Sequence, residues 1–168
     1  FTGASVNSSA SENGTISGSL TTGSGTVTFS EGYNEFTDGD DPVYKSVPDS
    51  GHFIVSVKVD GATQTVSDSE RGDTTDGFSK TFTDISGANS IQAVFGYKTT
   101  VNISGSGSVT SPSGITNGSF IYRAEGDNID FTFSTPPSSI TYDSVAQIVS
   151  GTTFTITVLK NATIAIAF

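Results

Sequence analysis

The chain has 168 residues, a formal net charge of −10, no Cys, Met or Trp, and a single His, His52. The absence of Cys excludes a disulfide framework and a thiolate metal site, and one His excludes a His-rich metal site. Ser and Thr make up almost a third of the chain, whereas Leu occurs only at Leu20 and Leu159. β-Branched and aromatic residues suit a pleated, half-buried surface, so the composition predicts an all-β protein with little or no helix.

The charge is concentrated in the first part of the chain. Residues 1–97 contain 13 acidic and 4 basic residues, a net charge of −9, whereas residues 98–168 contain 4 and 3, a net charge of −1. An acidic surface repels nucleic-acid phosphates and anionic lipids, so we predict neither as a partner. No stretch approaches the roughly 20 apolar residues that span a bilayer, which predicts no membrane insertion.

The first stretch of the chain, Phe1–Leu20, is polar and rich in Ser. Two interpretations are open: it forms the first strand of its own fold, or it is an arm that completes the sheet of a neighbouring copy by strand addition. The sequence begins at Phe1 rather than Met, which is expected either of a processed mature protein or of an excised piece.

Alternation of apolar and polar residues predicts the strands. The clearest case is residues 52–60, where Phe53, Val55, Val57 and Val59 share one face and Ile54 lies on the other with the polar residues. Asp60-Gly61 then predicts a hairpin turn, because Gly tolerates positive φ. The other strands predicted in this way centre on Val27 and Phe29, on Phe131 and Phe133, on Phe154, Ile156 and Val158, and on Ile164, Ile166 and Phe168.

An acidic loop, Asp38-Gly39-Asp40-Asp41-Pro42, is the best metal candidate. Closely spaced carboxylates supply the hard oxygen ligands that Ca²⁺ takes, so Asp38, Asp40 and Asp41 are candidate calcium ligands. Pro42 stands where a calcium loop has a further ligand, and the alternative is a solvated turn. No other cofactor is predicted.

A second acidic segment, Asp68–Gly77, contains four carboxylates and the tripeptide Arg71-Gly72-Asp73, which integrins recognise on flexible loops. A plain polar loop is the competing interpretation. His52 is predicted to have a structural role, and without a P-loop, a dinucleotide fingerprint or a convincing carboxylate pair in an aromatic cleft the chain is predicted not to be an enzyme.

Five Asn-x-Ser/Thr sequons are candidates for N-glycosylation, which would mark exposed surface. The alternative is the Asn- and Ser-rich turn chemistry common in β proteins. The five are Asn7, Asn13, Asn102, Asn117 and Asn161.

The chain contains an internal repeat. Gly14-Thr15-Ile16-Ser17 recurs as Gly107-Ser108-Val109-Thr110, and residues 88–95 recur as residues 161–168. The offset between matched residues falls from 95 to 73 along the chain, so the insertions lie in the first copy. We therefore predict two tandem β modules, residues 1–97 with the two acidic insertions and residues 98–168, each a small antiparallel, sandwich-like or β-grasp-like fold.

Each copy resembles the bacterial-repeat modules related to the internalin-type B repeat, which occur in tandem in secreted and surface proteins. The first copy carries Pro48-Asp49-Ser50-Gly51 followed by Val57-Lys58-Val59-Asp60-Gly61, and both copies end on a strand with a final Phe, Phe95 or Phe168. The second copy lacks the Gly-Tyr and Val-Asp-Gly elements of the pattern. The resemblance implies a surface-exposed, non-catalytic module and no specific ligand.

These observations favour an extracellular or cell-surface structural or adhesive protein. The expected function is that of a repeating filament or array subunit, in which copies of the chain join head to tail through β-strand contacts. The alternative is an adhesin module that binds calcium or a host or surface glycan. A Cys-free, acidic, Ser/Thr-rich chain fits an extracellular setting.

Overall fold

The computed structural model describes residues 3–168, and nearly all of its regular structure is β-strand. The all-β prediction is confirmed, and the helix found in these residues is one turn, α1 (Asp68–Arg71). The described residues include no helix of the length and apolar character needed to cross a membrane. The chain divides into two compact units, the first ending at Phe95 and the second running from Gly96 to Phe168.

The first unit contains two sheets. Its strands are β1 (Ala4–Ala10), β2 (Gly14–Thr22), β3 (Gly25–Ser30), β4 (Gly32–Phe36), β5 (Val43–Pro48), β6 (Phe53–Val59), β7 (Ala62–Thr63), β8 (Phe78–Thr81) and the first part of β9 (Ala88–Ser104). One sheet has the strand order β7-β6-β9-β1-β4, and the other has the order β3-β2-β5-β8.

The second unit also contains two sheets. Its strands are the second part of β9, β10 (Val109–Ser111), β11 (Ser119–Arg123), β12 (Asn128–Phe133), β13 (Ser139–Tyr142), β14 (Val145–Gln147), β15 (Thr153–Thr157) and β16 (Ala162–Ala167). One sheet has the order β14-β13-β16-β9-β11, and the other has the order β10-β12-β15.

The strand pairings follow the same order in the two units, apart from β3, which has no counterpart in the second unit. Most pairs are antiparallel, as predicted, but the prediction missed one parallel pair in each unit, β1 with β9 and β16 with β9. A parallel pair needs a long connection between its strands, and here most of each unit supplies it, because the pair joins the first and last strands of the unit.

Each unit has its own apolar core. In the first unit, Tyr44 of β5 is fully buried and lies edge-on to Phe36 and Phe82, with ring centroids 6.5 and 5.9 Å away. In the second unit, Phe131 is buried and stacks on Phe133 at 6.4 Å. Edge-to-face and offset-stacked rings add to the free energy gained by burial alone.

A glycine packs against the last aromatic residue in both units. A Cβ atom on Gly14 would lie 2.6 Å from the ring of Phe95, and a Cβ atom on Gly107 would lie 2.1 Å from the ring of Phe168. Both distances are shorter than any real carbon contact, so the rings occupy the space of the missing side chains. These residues belong to the two segments that the sequence comparison aligned.

An Asp makes the same turn in both units. Asp60 (φ 49°) and Asp143 (φ 49°) have left-handed backbone conformations, and each accepts a hydrogen bond on its carboxylate from a backbone N–H of the closing strand, Ser90 and Thr163, respectively. The second unit therefore forms its middle hairpin, β13–β14, with Asp143-Ser144 where the first uses Asp60-Gly61.

The face assignment in β6 was wrong for Ile54. Ile54 is fully buried and belongs to the same core as Val57 and Val59, whereas Val55 is only half-buried. Residues three apart cannot share a face of a regular strand, so β6 departs from the strict alternation on which the prediction rested. Strict alternation does describe β12 and β16, where Phe131 and Phe133 and then Ile164 and Ile166 are buried.

The N-terminal stretch forms β1 and β2 within its own unit. β1 lies between β4, which is antiparallel to it, and β9, which is parallel. Ala4, Ser5, Val6 and Ser8 are buried. This arrangement is the first of the two interpretations of residues 1–20, and Phe1 and Thr2 lie outside the described residues.

Candidate functional site

The first acidic loop is bound to the segment that precedes β9. Asp41 accepts a 2.7 Å hydrogen bond on its carboxylate from the Asp84 backbone N–H, and the Ile85 N–H donates to the Asp40 carbonyl at 2.9 Å. Within the loop, the Asp40 carboxylate accepts from the Thr37 N–H at 2.9 Å. Two of the three candidate calcium ligands thus stabilise the loop backbone through their carboxylates.

The described residues contain no group of three or more His, Cys, Asp or Glu side chains arranged to hold a metal ion. Asp38 is exposed and Asp40 is half-buried. Calcium binding by Asp38, Asp40 and Asp41 stays a prediction, and calorimetric titration of the protein and of an Asp38→Asn/Asp40→Asn variant with Ca²⁺ would test it.

The second acidic segment is an ordered cap on β6. Ser67 and Glu70 form a capping box at the start of α1, and the hydrogen bond from the Ser67 hydroxyl lowers the pKa of Glu70. Arg71 Nη1 donates to the carbonyl oxygens of Ile54 (2.6 Å) and Val55 (2.9 Å). These carbonyls lie on β6 before the part that pairs with the two-residue β7, so Arg71 binds acceptors that β7 does not reach.

The Arg71-Gly72-Asp73 tripeptide therefore has structural contacts at each residue. Gly72 packs so closely on Phe53 that a Cβ atom would lie 2.9 Å from its ring. The Asp73 carboxylate accepts hydrogen bonds from the Thr75 and Asp76 N–H groups, which lower its pKa. Both charged side chains of the tripeptide therefore already bind backbone groups of the chain.

Replacing Arg71 is expected to destabilise the first unit. Arg71→Ala removes two hydrogen bonds from a charged donor to half-buried carbonyls, so we expect a loss of about 1–3 kcal/mol in the free energy of unfolding. Chemical denaturation followed by circular dichroism measures it. Lys58→Ala is the control, because Lys58 lies on β6, the strand that Arg71 contacts, and is exposed. An equal loss of stability in both variants would show that the contacts of Arg71 with the two carbonyls contribute nothing.

The five sequon asparagines lie at or near the surface. Asn7, Asn102, Asn117 and Asn161 are exposed, and Asn13 is half-buried with a left-handed backbone (φ 74°). Asn117 accepts a hydrogen bond from the Ile103 N–H at 2.9 Å, and Asn161 accepts from the Lys98 N–H at 2.8 Å. Both interpretations of the sequons fit this placement, and glycosylation stays a prediction.

Among the titratable residues of the first unit, His52 lies in a turn and Tyr44 lies in the core. The backbone N–H of His52 donates to the Asp49 carbonyl in the turn before β6, at 2.9 Å. Burial raises the pKa of Tyr44, and its interaction with the Asn34 side chain lowers it by a smaller amount. Tyr44 belongs to the aromatic core described above.

An ion pair holds the turn of the second unit. Lys160 Nζ lies 2.7 Å from Asp143 Oδ2, and the Thr163 N–H donates to Oδ1 of the same carboxylate. The hydrogen bond with Lys160 is the main cause of the lowered pKa of Asp143, and the bond from Thr163 lowers it further. The ionised carboxylate therefore stabilises the turn.

This pair predicts a specific pH dependence. A carboxyl whose pKa is lower in the folded state contributes stability that is present above its unfolded-state pKa of about 4 and is lost as the pH falls through the folded-state pKa. Asp143→Asn keeps a side chain that tolerates left-handed backbone, so it removes the charge alone. We expect this variant to be less stable than the wild type at pH 7 and equally stable at pH 2.

Thermal unfolding from pH 2 to pH 7 measures the difference. The Lys160→Gln variant removes the same pair from the other side, and the double variant should lose little more than either single variant. A stability difference that is constant across this pH range would contradict the assignment.

The second unit carries a shallow groove of about 340 Å³ on its larger sheet, lined by residues of β9, β13 and β16 and by Asn117. The lining is mixed: Asn102, Ser139 and Thr141 are among its polar residues, Ile103 and Ile166 are apolar, and it has no aromatic ring. It can form hydrogen bonds to a hydroxyl-rich ligand but provides no stacking platform.

Most edge strands of the two units are short or charged, and both properties hinder pairing with another chain. In the first unit, β7 has two residues, β8 carries Lys80 and β4 carries Glu35. In the second unit, β10 and β14 have three residues each, Pro112 directly follows β10, and β11 carries Arg123.

Two edge strands remain among those of the described residues. β3 has six residues and β15 has five, and neither contains a charged residue or Pro. Residues 25–28 are exposed, Val27 at 56%, and so are Thr153, Thr155 and Thr157. The uncharged alternation Thr-Val-Thr in β3 and Thr-Phe-Thr-Ile-Thr in β15 predicts a strand at each place. It does not predict that these strands are edges, because alternation gives no information on which strands lie beside them.

Comparison of the chain with protein-family models, with curated proteins and with solved structures gave no match.

Proposed function

We propose that this chain is a non-enzymatic structural or adhesive protein of the cell exterior, which serves as a repeating subunit of a surface filament or array. The observation that carries the proposal is the edge strand β3. It is six residues long, uncharged and exposed in a protein whose net charge is −10. Such an edge presents unpaired N–H and C=O groups that can template pairing with another chain.

The organisation of the chain supports the same proposal. Two units with one order of strand pairing are what tandem modules of the bacterial-repeat type would give, and such modules occur in tandem in secreted and surface proteins. The shared Gly–Phe contact and the shared Asp turn support this proposal, because a common order of strands alone does not require common side-chain details.

Negative-stain electron microscopy and sedimentation velocity of the purified chain over a wide concentration range test the proposal. Polymers or ordered arrays that grow with concentration are expected. A protein that sediments as a monomer at every concentration and salt level, before and after refolding, would contradict it.

A second candidate function is glycan binding, and the hydrogen-bonding groups in the groove of the second unit favour it. Hydroxyl and amide groups at Asn102, Ser139 and Thr141 can bond to sugar hydroxyls. Binding to a panel of immobilised glycans, with Thr141→Val as the groove variant, tests this. Retention of all glycans by the variant, or binding to none by the wild type, would reject the groove as the site.

A further inference from the structure

We propose that copies of this chain join head to tail, with β3 of one copy pairing antiparallel with β15 of the next. This inference rests on the proposed function and names the contact that would build the polymer. Its starting point is that β3 and β15 are the two edge strands, among the described residues, that combine five or more residues with no charge and no Pro.

The free backbone groups of β15 lie at its threonines. The Phe133 N–H donates to the Thr152 carbonyl and the Val158 N–H donates to the Asp127 carbonyl. In an antiparallel pair, alternate residues bond to the partner strand, so Phe154 and Ile156 bond to β12. The N–H and C=O groups of Thr153, Thr155 and Thr157 therefore point away from the sheet.

The free backbone groups of β3 also lie at hydroxyl residues. The Asp49 N–H donates to the Asn13 carbonyl, so odd-numbered residues of β2 bond to β5 and even-numbered residues bond to β3. The register pairs Gly18 with Phe29 and Leu20 with Val27. The N–H and C=O groups of Thr26 and Thr28 consequently face outward from the sheet, whereas the outward carbonyl of Ser30 accepts a hydrogen bond from Asn34 Nδ2 at 3.1 Å.

The side chains of the two edges alternate in the same phase. In β3, Val27 and Phe29 share a face, and Phe29 packs against the core of its unit. In β15, Phe154 and Ile156 share the face that packs on the core of the second unit. Residues directly opposite in an antiparallel pair project to the same side of the sheet.

Pairing β3 with β15 thus aligns the outward Thr and Ser residues of one strand with the outward Thr residues of the other. The apolar rows then become continuous on the core side, and Val27, which is 56% exposed in the single chain, gains an apolar neighbour. Cross-strand Thr pairs and aromatic–β-branched pairs are favourable combinations in sheets.

The charge distribution disfavours contact between two first units. Residues 1–95 contain 13 acidic and 4 basic residues, whereas residues 96–168 contain 4 and 3. Bringing two first units together places charges of −9 against −9, whereas a first unit against a second unit places −9 against −1. The β3 and β15 edges also lie in uncharged stretches of chain, residues 13–30 and 144–159. A contact between different surfaces of successive copies is heterologous, and it continues as an open filament when its rotation does not close a ring.

The test uses proline at the outward positions, where it removes a free N–H without removing a bond to the neighbouring strand. Thr28→Pro blocks β3, and Thr153→Pro blocks β15 at its first residue. Thr28→Val and Thr153→Val are the matched controls, because they keep the N–H group and the β-branched side chain. The average mass of each protein is measured by light scattering, and its fold by circular dichroism.

We expect the wild type and both Val variants to polymerise, and each Pro variant alone to have the mass of a monomer. An equal mixture of the two Pro variants should form dimers and nothing larger, because the mixture contains one intact β3–β15 pair per two chains. If Thr28→Pro fails to fold, Val27→Lys replaces it, since this change places a charge on the apolar side of the joint.

Other outcomes overturn the inference. If a folded Pro variant still polymerises like the wild type, the edges do not join the copies, although the filament proposal stands. If Thr153→Pro alone forms dimers, β3 pairs with itself, and if Thr28→Pro alone forms dimers, β15 does so. A wild type that is monomeric throughout would instead overturn the proposed function and this inference with it.

Discussion

Tyr44→Ala is expected to lower the free energy of unfolding of the first unit by about 3–5 kcal/mol, in the range found for large aromatic residues replaced in cores. Tyr44 is fully buried and is surrounded by Phe36, Phe82 and the backbone at Gly18, where a Cβ atom would lie 2.9 Å from its ring. The rings on either side belong to separate segments, so the space cannot close without moving strands. The loss includes the cavity as well as the lost burial.

Urea unfolding monitored by circular dichroism, together with hydrogen exchange of individual amides, measures this effect. Tyr44→Phe is the control, because it keeps the ring and its edge-on contacts, and we expect it to cost much less than the Ala variant. The exchange rates should rise in the first unit. Similar losses for Phe and Ala would show that the hydroxyl group, rather than ring packing, stabilises the unit.

Gly77→Ala is expected to destabilise the first unit by about 2–5 kcal/mol, since two effects add. Gly77 has φ +54°, a conformation that costs an L-residue roughly 1–2 kcal/mol. In addition, its Cβ atom would lie 2.1 Å from the carbonyl oxygen of Ser46, a buried backbone atom that no side-chain rotation can move away. Overpacking of this kind typically costs about 1–3 kcal/mol.

Gly61→Ala separates the two effects. Gly61 also has positive φ (+78°), but a Cβ atom there would meet nothing within 4 Å. This variant should therefore lose only the stability that the positive-φ backbone costs. The difference between the two variants in the free energy of unfolding then measures the clash with Ser46. If Gly61→Ala lowers the free energy of unfolding as much as Gly77→Ala does, β5 and Gly77 move apart enough to relieve the clash.

The extent to which the sequence predicted the site differs from segment to segment. The acidic loop at Asp38–Asp41 and the Arg71-Gly72-Asp73 tripeptide were recognisable by residue type, but their roles depend on partners far away in the chain. Asp41 binds the backbone of Asp84, and Arg71 binds carbonyls of Ile54 and Val55. A sequence motif shows which charged side chains are present, whereas only the fold shows which of them already form hydrogen bonds within the chain.

Composition and alternation correctly predicted the all-β class and the strand positions in the alternating segments, and self-comparison predicted the internal repeat. These properties are local or are repeated along the chain: β-branched and aromatic residues favour extended backbone, and alternation places one side of a strand in the core. The repeated Gly and Phe residues marked equivalent places in the two units, and the structure gives them the same contact.

Three features could be read only from the packed structure: the parallel pairing of β1 and β16 with β9, the burial of Ile54 and the identity of the open edges. Each of these depends on which strands lie side by side, and strand neighbours are set by packing between residues distant in sequence rather than by local preference. β3 and β15 have the alternation of interior strands, and only their place at the ends of their sheets leaves their threonine N–H and C=O groups unpaired within the unit.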